Sequence, residues 1–154
     1  MTHADTVIGD RQGTCVFIYI NGDGETSRDF CFIDNAVQAN LLAALTPGSE
    51  RLHSVYNVAC GGRTKLKQLF YMIRDALSDQ MPELSMVQPA YRQYRPGDVR
   101  HSQADISKIR RELGYEPTHN VERGLRETLS WYVDSHMVSI PPEEIVPEAI
   151  AKRA

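Results

Sequence analysis

The side chains with the plainest chemical potential are arginines set beside acids. Arg28-Asp29 stands just ahead of an apolar stretch. Arg92, Arg95, Asp98 and Arg100 crowd into one short segment, interleaved with Tyr91, Tyr94 and Gly97. A guanidinium offers a planar fork of N–H donors matched to phosphate oxygens and stays charged at physiological pH. A carboxylate beside it can accept two hydroxyls of a ribose or hexose. A loop carrying both can grip a nucleotide diphosphate. The same residues also make an ordinary solvated charged loop, and spacing alone leaves both readings open. Lys108, Arg110 and Arg111 read as the exposed face of a short helix.

Two glycine-rich stretches invite a phosphate reading. Gly22-Asp23-Gly24-Glu25-Thr26-Ser27 approximates a dinucleotide fingerprint, with Ser27 where the third glycine belongs. It leads into a strand-like segment, whereas the fingerprint needs a helix N-terminus facing the pyrophosphate. A tight turn between strands is expected there. Gly61-Gly62-Arg63-Thr64 does open a helical pattern, as either an anion seat or a plain strand-to-helix turn. No P-loop, H-E-x-x-H or G-x-S-x-G pattern occurs. None of the seven tyrosines has lysine at +4, the pair in which lysine lowers a tyrosine pKa for base chemistry. Tyr91 has Arg95 there, which differs from lysine in geometry and charge. No Cys/His cluster has zinc spacing, so no metal site is expected. Cys15, Cys31 and Cys60 read as buried thiols in a reducing compartment.

The elements that must carry these residues follow from pattern. Val16–Ile20 and Asp29–Ile33 read as strands flanking the Asn21–Gly24 turn. Asp34 suits an N-cap for a helix with Val37, Leu41, Leu42 and Leu45 inward. Val55–Ala59 reads as a third strand, apolar enough for burial on both faces, yet with few partners to pair it. Thr64 can cap a helix whose Leu66, Leu69, Phe70, Ile73 and Leu77 share a face. Ser85–Arg100, with Pro89 and Pro96, reads as extended chain or loop. Asp105 caps a short helix with Ile106, Ile109 and Leu113 inward, ended by Gly114. Asn120 caps a last helix with Val121, Leu125, Leu129, Tyr132 and Val133 on its buried side. Residues 139–154, with three prolines, read as a loose tail.

At 154 residues the chain suits one domain. Lys plus Arg is 17 against 20 Asp plus Glu, a formal charge of −3, which argues against a general nucleic-acid binder. No apolar run approaches the roughly 20 residues of a membrane span. The first residues lack the pattern of a secretory signal, so a cytoplasmic protein is expected.

Five motifs then carry a resemblance. They are Ile20–Asn35 with Val37–Leu41, Tyr56–Thr64, Arg95-Pro96-Gly97-Asp98-Val99-Arg100-His101-Ser102-Gln103-Ala104-Asp105, Leu113–Pro117, and Gly124-Leu125. In this order they resemble the C-terminal half of UDP-N-acetylglucosamine 4-epimerases, of the extended short-chain dehydrogenase/reductase superfamily. The resemblance covers roughly residues 16–133. It implies an α/β fold, the substrate-binding part of a Rossmann-like architecture, with most of the parallel NAD-binding sheet missing. It divides the chain into an unassigned segment 1–15, a nucleotide-sugar region 16–138 and a tail 139–154.

The resemblance also implies roles. The strand at Tyr19, Ile20 and Asn21 runs past the uracil of a UDP-sugar of the UDP-GlcNAc/UDP-GalNAc class, largely through backbone groups. Arg28 and Arg95 contact the diphosphate, and Asp98 holds the ribose hydroxyls. Ser102 leaves room for an N-acetyl group. The family's chemistry uses NAD to form a transient 4-keto sugar, and the NAD turn and Tyr-x-x-x-Lys pair lie in the N-terminal half. No NAD site and no catalytic residue are therefore expected in this chain, which is not expected to epimerise alone. The family context implies cell-surface polysaccharide synthesis. A non-catalytic UDP-sugar binding module, a homodimer, or a subunit that pairs with a complementing N-terminal half are the alternatives.

Overall fold

The computed structural model describes residues 8–9, 15–16, 18–48 and 54–137. Its strands are short: β1 (Ile8–Gly9), β2 (Cys15–Val16), β3 (Tyr19–Asn21), β4 (Ser27–Arg28), β5 (Thr64–Lys65) and β6 (Ala90–Arg92). The helices are α1 (Ile33–Leu45), α2 (Leu66–Ser78), α3 (Ser107–Leu113) and α4 (Val121–Met137), with a 3-10 helix at Pro82–Met86. The strands pair two by two. β1 and β2 are antiparallel, as are β4 and β5, while β3 and β6 are parallel with Asn21 opposite Arg92. The α/β class is as expected.

Several expectations need correction. The strand at Val16–Ile20 is divided between β2 and β3. The one placed at Asp29–Ile33 lies earlier, at Ser27–Arg28. The Asp29 carboxylate accepts the backbone N–H groups of Cys60 and Gly61 at 3.1 and 3.0 Å, so the chain leaves the ladder to reach that turn. Helix α1 already begins at Ile33, and Asp34 lies inside its first turn, where a negative charge suits the helix dipole. Thr64 pairs with Arg28 rather than capping α2. The stretch expected as extended chain or loop, Ser85–Arg100, pairs as β6 over three of its residues. Val55–Ala59 forms no ladder among the described residues.

The helix signals fare better because they are local. Gly114 ends α3 with φ +66°, while the N-cap position is Ile106, one residue after the expected Asp105, whose Oδ1 accepts the N–H and hydroxyl of Ser107 from just outside the helix. Asn120 Oδ1 accepts the Arg123 N–H at 2.9 Å, a cap at the start of α4. The tail from Ser139 lies outside the described residues.

The core joins α1, α3 and the 55–59 segment. Ala39, Ala59, Ile106, Ile109, Leu113 and Tyr115 are buried together, with Leu42, Tyr56 and Ala104 against them. Tyr115 is fully enclosed and its hydroxyl donates to the Ala59 carbonyl at 2.9 Å. Burial, the main cause, pushes its phenol well above the usual range. Asn35 is equally buried. Its amide donates to the His119 carbonyl at 2.7 Å, and its oxygen accepts the N–H groups of Thr118 and His119 at 2.9 and 3.1 Å. A buried amide so satisfied fixes the 118–119 turn to α1 without a desolvation penalty. Of the α1 residues expected inward, Leu42 packs on this core, but Val37, Leu41 and Leu45 are exposed. The thiol expectation also changes: Cys31 is exposed and Cys60 half-buried, both free, with burial pushing the Cys60 thiol up.

Candidate functional site

The parallel pair β3–β6 and the turn that follows each strand build one polar rim. After β6 the chain turns at Arg95-Pro96-Gly97-Asp98, where the Asp98 N–H donates to the Arg95 carbonyl at 3.2 Å. Pro96 supplies the fixed φ of the first central position. Gly97, at φ +77°, takes the left-handed second one, as a type II turn requires. Arg95 and Asp98 therefore bracket a single turn. The turn is tied to β4 by an ion pair, Arg28 Nη2 to Asp98 Oδ1 at 2.5 Å. Arg28 also donates to the Ser27 carbonyl at 2.9 Å, which aims its guanidinium along the rim.

Three of the six predicted site residues, Arg28, Asp98 and Arg95, are thus joined, and two more, Tyr19 and Asn21, share β3. Arg28 meets Asp98 directly, Asp98 shares its turn with Arg95, and Asn21 lies opposite Arg92 in the ladder. Tyr19 stands at the other end of β3, half-exposed, with the Arg92 guanidinium 3.3 Å from its ring centroid. Such stacking orients the arginine and shields one ring face. Ser102 is placed by its N–H, which donates at 3.1 Å to the Ser27 carbonyl, the same oxygen that the Arg28 guanidinium uses; its residue is exposed. The Arg95 guanidinium makes no hydrogen bond or ion pair among the described residues, and stands exposed.

Sequence reasoning missed a second charged knot beside the first. Arg100 donates to Asp23 Oδ2 at 2.5 Å and to the Tyr94 hydroxyl at 2.6 Å. The Arg100 hydrogen bond is the main cause that holds the Asp23 carboxyl well below the usual carboxylate range, and Asp23 in turn raises Arg100. This knot links the Asn21–Gly24 turn to the segment after β6. Arg100 and Tyr94 were visible as cluster members, but nothing in the spacing paired them with a residue 77 positions away. Ser27 is likewise buried, its hydroxyl bonded to His101 Nδ1 at 2.9 Å.

The Gly22–Gly24 turn does not fit a dinucleotide pyrophosphate. It connects two strands, and a Cβ at Gly22 would run into the Tyr94 ring. The Gly24 carbonyl is taken by the Lys67 N–H at 3.0 Å. These glycines serve close packing rather than an open phosphate cradle. Elsewhere, Asp34, His119 and Glu127 bring metal-capable atoms within 4.8 Å of one another. Glu127 is bonded to His119 Nε2 at 3.1 Å and to Arg123 at 3.2 Å, so two of the three groups have protein partners. No helix of the described residues is long and apolar enough to cross a membrane.

Comparison with known proteins agrees with this architecture. The profile of the GDP-mannose 4,6 dehydratase family matches residues 7–128. The dTDP-glucose 4,6-dehydratase of Haemophilus influenzae is 38% identical over 125 residues, covering 74% of this chain and 35% of that protein. The dTDP-L-rhamnose 4-epimerase of Burkholderia thailandensis is 30% identical over 109 residues, 71% of this chain and 28% of its own length. Two solved structures are similar in shape. The UDP-glucose 4-epimerase of Thermotoga maritima, solved with UDP-glucose, has a TM-score of 0.67 and 34% identity, covering 77% of this chain and 35% of its own. The UDP-N-acetylglucosamine 4-epimerase of Methanobrevibacter ruminantium, in complex with UDP-N-acetylmuramic acid, has a TM-score of 0.66 and 35% identity at the same coverage.

Fold and matches define an α/β protein of the extended short-chain dehydrogenase/reductase class. Within that class the chain belongs to the NAD-dependent epimerase/dehydratase family described by the GDP-mannose 4,6 dehydratase profile. It spans about a third of the length of the curated relatives it matches.

Proposed function

We propose that residues 16–138 are the nucleotide-sugar binding part of a UDP-N-acetylglucosamine 4-epimerase-like protein. On this reading the β3 backbone at Tyr19–Asn21 runs beside the uracil and Arg28 and Arg95 hold the diphosphate. Asp98 accepts ribose hydroxyls, and Ser102 leaves space for an N-acetyl group. On this reading the NAD site and the epimerisation chemistry belong to the portion of the family fold that this chain does not span. The observation that carries the reading is the Arg28–Asp98 pair on the exposed rim, joined through one turn to Arg95. Diphosphate oxygens can replace the carboxylate at the arginine fork while ribose hydroxyls take the freed carboxylate, so the pair is exchanged rather than stranded.

Calorimetric titration tests this. UDP-N-acetylglucosamine and UDP are expected to bind, with Arg28→Ala and Asp98→Asn each weakening binding at least tenfold. Ser102→Tyr is expected to weaken the sugar nucleotide while sparing UDP. No heat at millimolar ligand overturns the reading. A second reading, a dTDP-sugar ligand, is favoured by the curated relatives, several of which are dTDP-glucose 4,6-dehydratases. A deoxyribose offers Asp98 one hydroxyl fewer. Binding of dTDP-glucose tighter than UDP-N-acetylglucosamine therefore selects the second reading.

A further inference from the structure

Two cysteines from separate stretches of the chain meet beside the core. Cys31 follows the Arg28-Asp29 pair, and Cys60 stands in the turn after residues 55–59. Asp29 clamps the two stretches together, because its carboxylate accepts the Cys60 and Gly61 N–H groups. A disulfide needs its two backbones close at the outset, and this clamp keeps them so. The Cys31 thiol lies within hydrogen-bonding reach of both the Cys60 thiol and the Tyr115 hydroxyl.

Their surroundings give the two sulfurs different parts. Cys31 is exposed and lines an apolar cleft with Phe30 and Phe32, so a small solute reaches it. Cys60 is half-buried, and burial, the main cause, keeps it a thiol to higher pH. Its sulfur accepts the Asn35 amide N–H at 3.3 Å, and its thiol donates to the His119 carbonyl at 3.3 Å. Oxidation removes that S–H donor, yet the His119 carbonyl keeps the Asn35 amide at 2.7 Å. The Cys31 thiol donates to the Phe32 carbonyl at 3.6 Å, in an exposed position where water can take its place. Joining the sulfurs therefore strands no buried acceptor.

We propose that Cys31 and Cys60 are a modification site, a thiol pair that hydrogen peroxide converts to a reversible disulfide. The Cys31 sulfur, as thiolate, attacks one peroxide oxygen. The O–O bond breaks, hydroxide leaves and takes up the proton that the thiol released, and Cys31 becomes a sulfenic acid. The Cys60 sulfur then attacks the Cys31 sulfur, the S–O bond breaks, and the oxygen departs as water with the Cys60 proton. Two thiols and one hydrogen peroxide give one disulfide and two waters; the sulfurs lose two electrons and peroxide gains them. A dithiol reverses the bond by exchange. The bridge staples the segment after Arg28 to the Cys60–Gly62 turn. The Gly61 carbonyl of that turn accepts the Gln103 amide at 2.7 Å, next to Ser102. Disulfides of this kind in a reducing compartment are transient sensors rather than permanent braces. The inference is independent of the nucleotide reading.

The test treats the folded 154-residue chain with stoichiometric hydrogen peroxide and maps a non-reducing digest by mass spectrometry. A mass loss of two hydrogens and the disappearance of two of the three thiols are expected. The Cys31–Cys60 peptide should be at least tenfold more abundant than any linkage to Cys15, and dithiothreitol should restore both thiols. In urea, where the Asp29 clamp is gone, linkages should spread over all three cysteines. Cys15→Ser should leave the reaction unchanged. Cys60→Ser should abolish the bridge and leave Cys31 as a sulfenic acid that dimedone traps. A main product linked to Cys15, a disulfide between two chains, or over-oxidation of Cys31 with Cys60 still free overturns the inference. So does the same mixture from folded and unfolded chain, or no reaction. Because the readout is covalent, it decides the question whether or not UDP binds.

Discussion

The interior around Tyr115 and Asn35 and the rim around Arg28 and Asp98 are built on opposite principles. In the interior the Tyr115 hydroxyl and the Asn35 amide have their partners inside, and the packing around them is apolar and closed. On the rim, residues 91–100 are all exposed, and charge is paired with charge across short, solvent-facing bridges. Buried, satisfied groups determine which fold is adopted. Exposed ion pairs contribute little to stability and can be exchanged for a ligand's oxygens at little cost. The contrast suits a scaffold that is rigid beneath and exchangeable above.

Substitutions sharpen that contrast, beginning with the interior. Tyr115→Ala is expected to cost about 3–5 kcal/mol, read as a lower urea midpoint, because it empties a fully enclosed site. An unchanged midpoint would mean that the core lies elsewhere. Asn35→Ala leaves the buried His119 N–H without its partner and the His119 carbonyl with only the Cys60 thiol. Each such buried group costs about 1–3 kcal/mol. Gly124→Ala sets a Cβ 2.8 Å from that of Phe32, where α4 crosses the start of α1. A loss of about 1–3 kcal/mol is expected from overpacking. Arg28→Ala, by contrast, should leave stability within about 0.5 kcal/mol, as for an ordinary surface change. A large loss there would erase the distinction between the two regions.

The smallest effect is in pH. The Arg100 hydrogen bond depresses the folded-state pKa of Asp23. Its stabilising contribution is therefore present above the unfolded carboxyl pKa, about 4, and fades as pH falls through the lower folded value. A carboxyl NMR titration should place Asp23 below its usual midpoint, and Arg100→Gln should return it upward. A normal midpoint in the unmodified chain would dissolve the knot.

What could be read from residue order was mostly local. The face of α2, the Asn120 cap and the Gly114 stop are settled within a few residues, so periodicity and cap chemistry find them. β6 escaped because three residues between prolines show no alternation, and it exists only through pairing with a strand some 70 residues earlier. Asp29–Ile33 looked like a strand because it is mostly apolar, but its two phenylalanines face α2 and α4: Phe30 and Phe32 line an apolar cleft with Leu69, Ile73 and Leu125. Of the site, arginine chemistry and the motifs singled out Arg28, Arg95 and Asp98. The Asp23–Arg100–Tyr94 knot was beyond reach, since a surface ion pair leaves no periodic trace.

The central claim is that Arg28, Arg95 and Asp98 form one nucleotide-diphosphate grip. An amide NMR titration of the 154-residue chain with UDP tests it most directly. The account predicts saturable shifts at Asn21, Arg28, Arg95 and Asp98 with Ile109 and Leu113 unmoved. Shifts confined to other surfaces, or none at millimolar UDP, would contradict it.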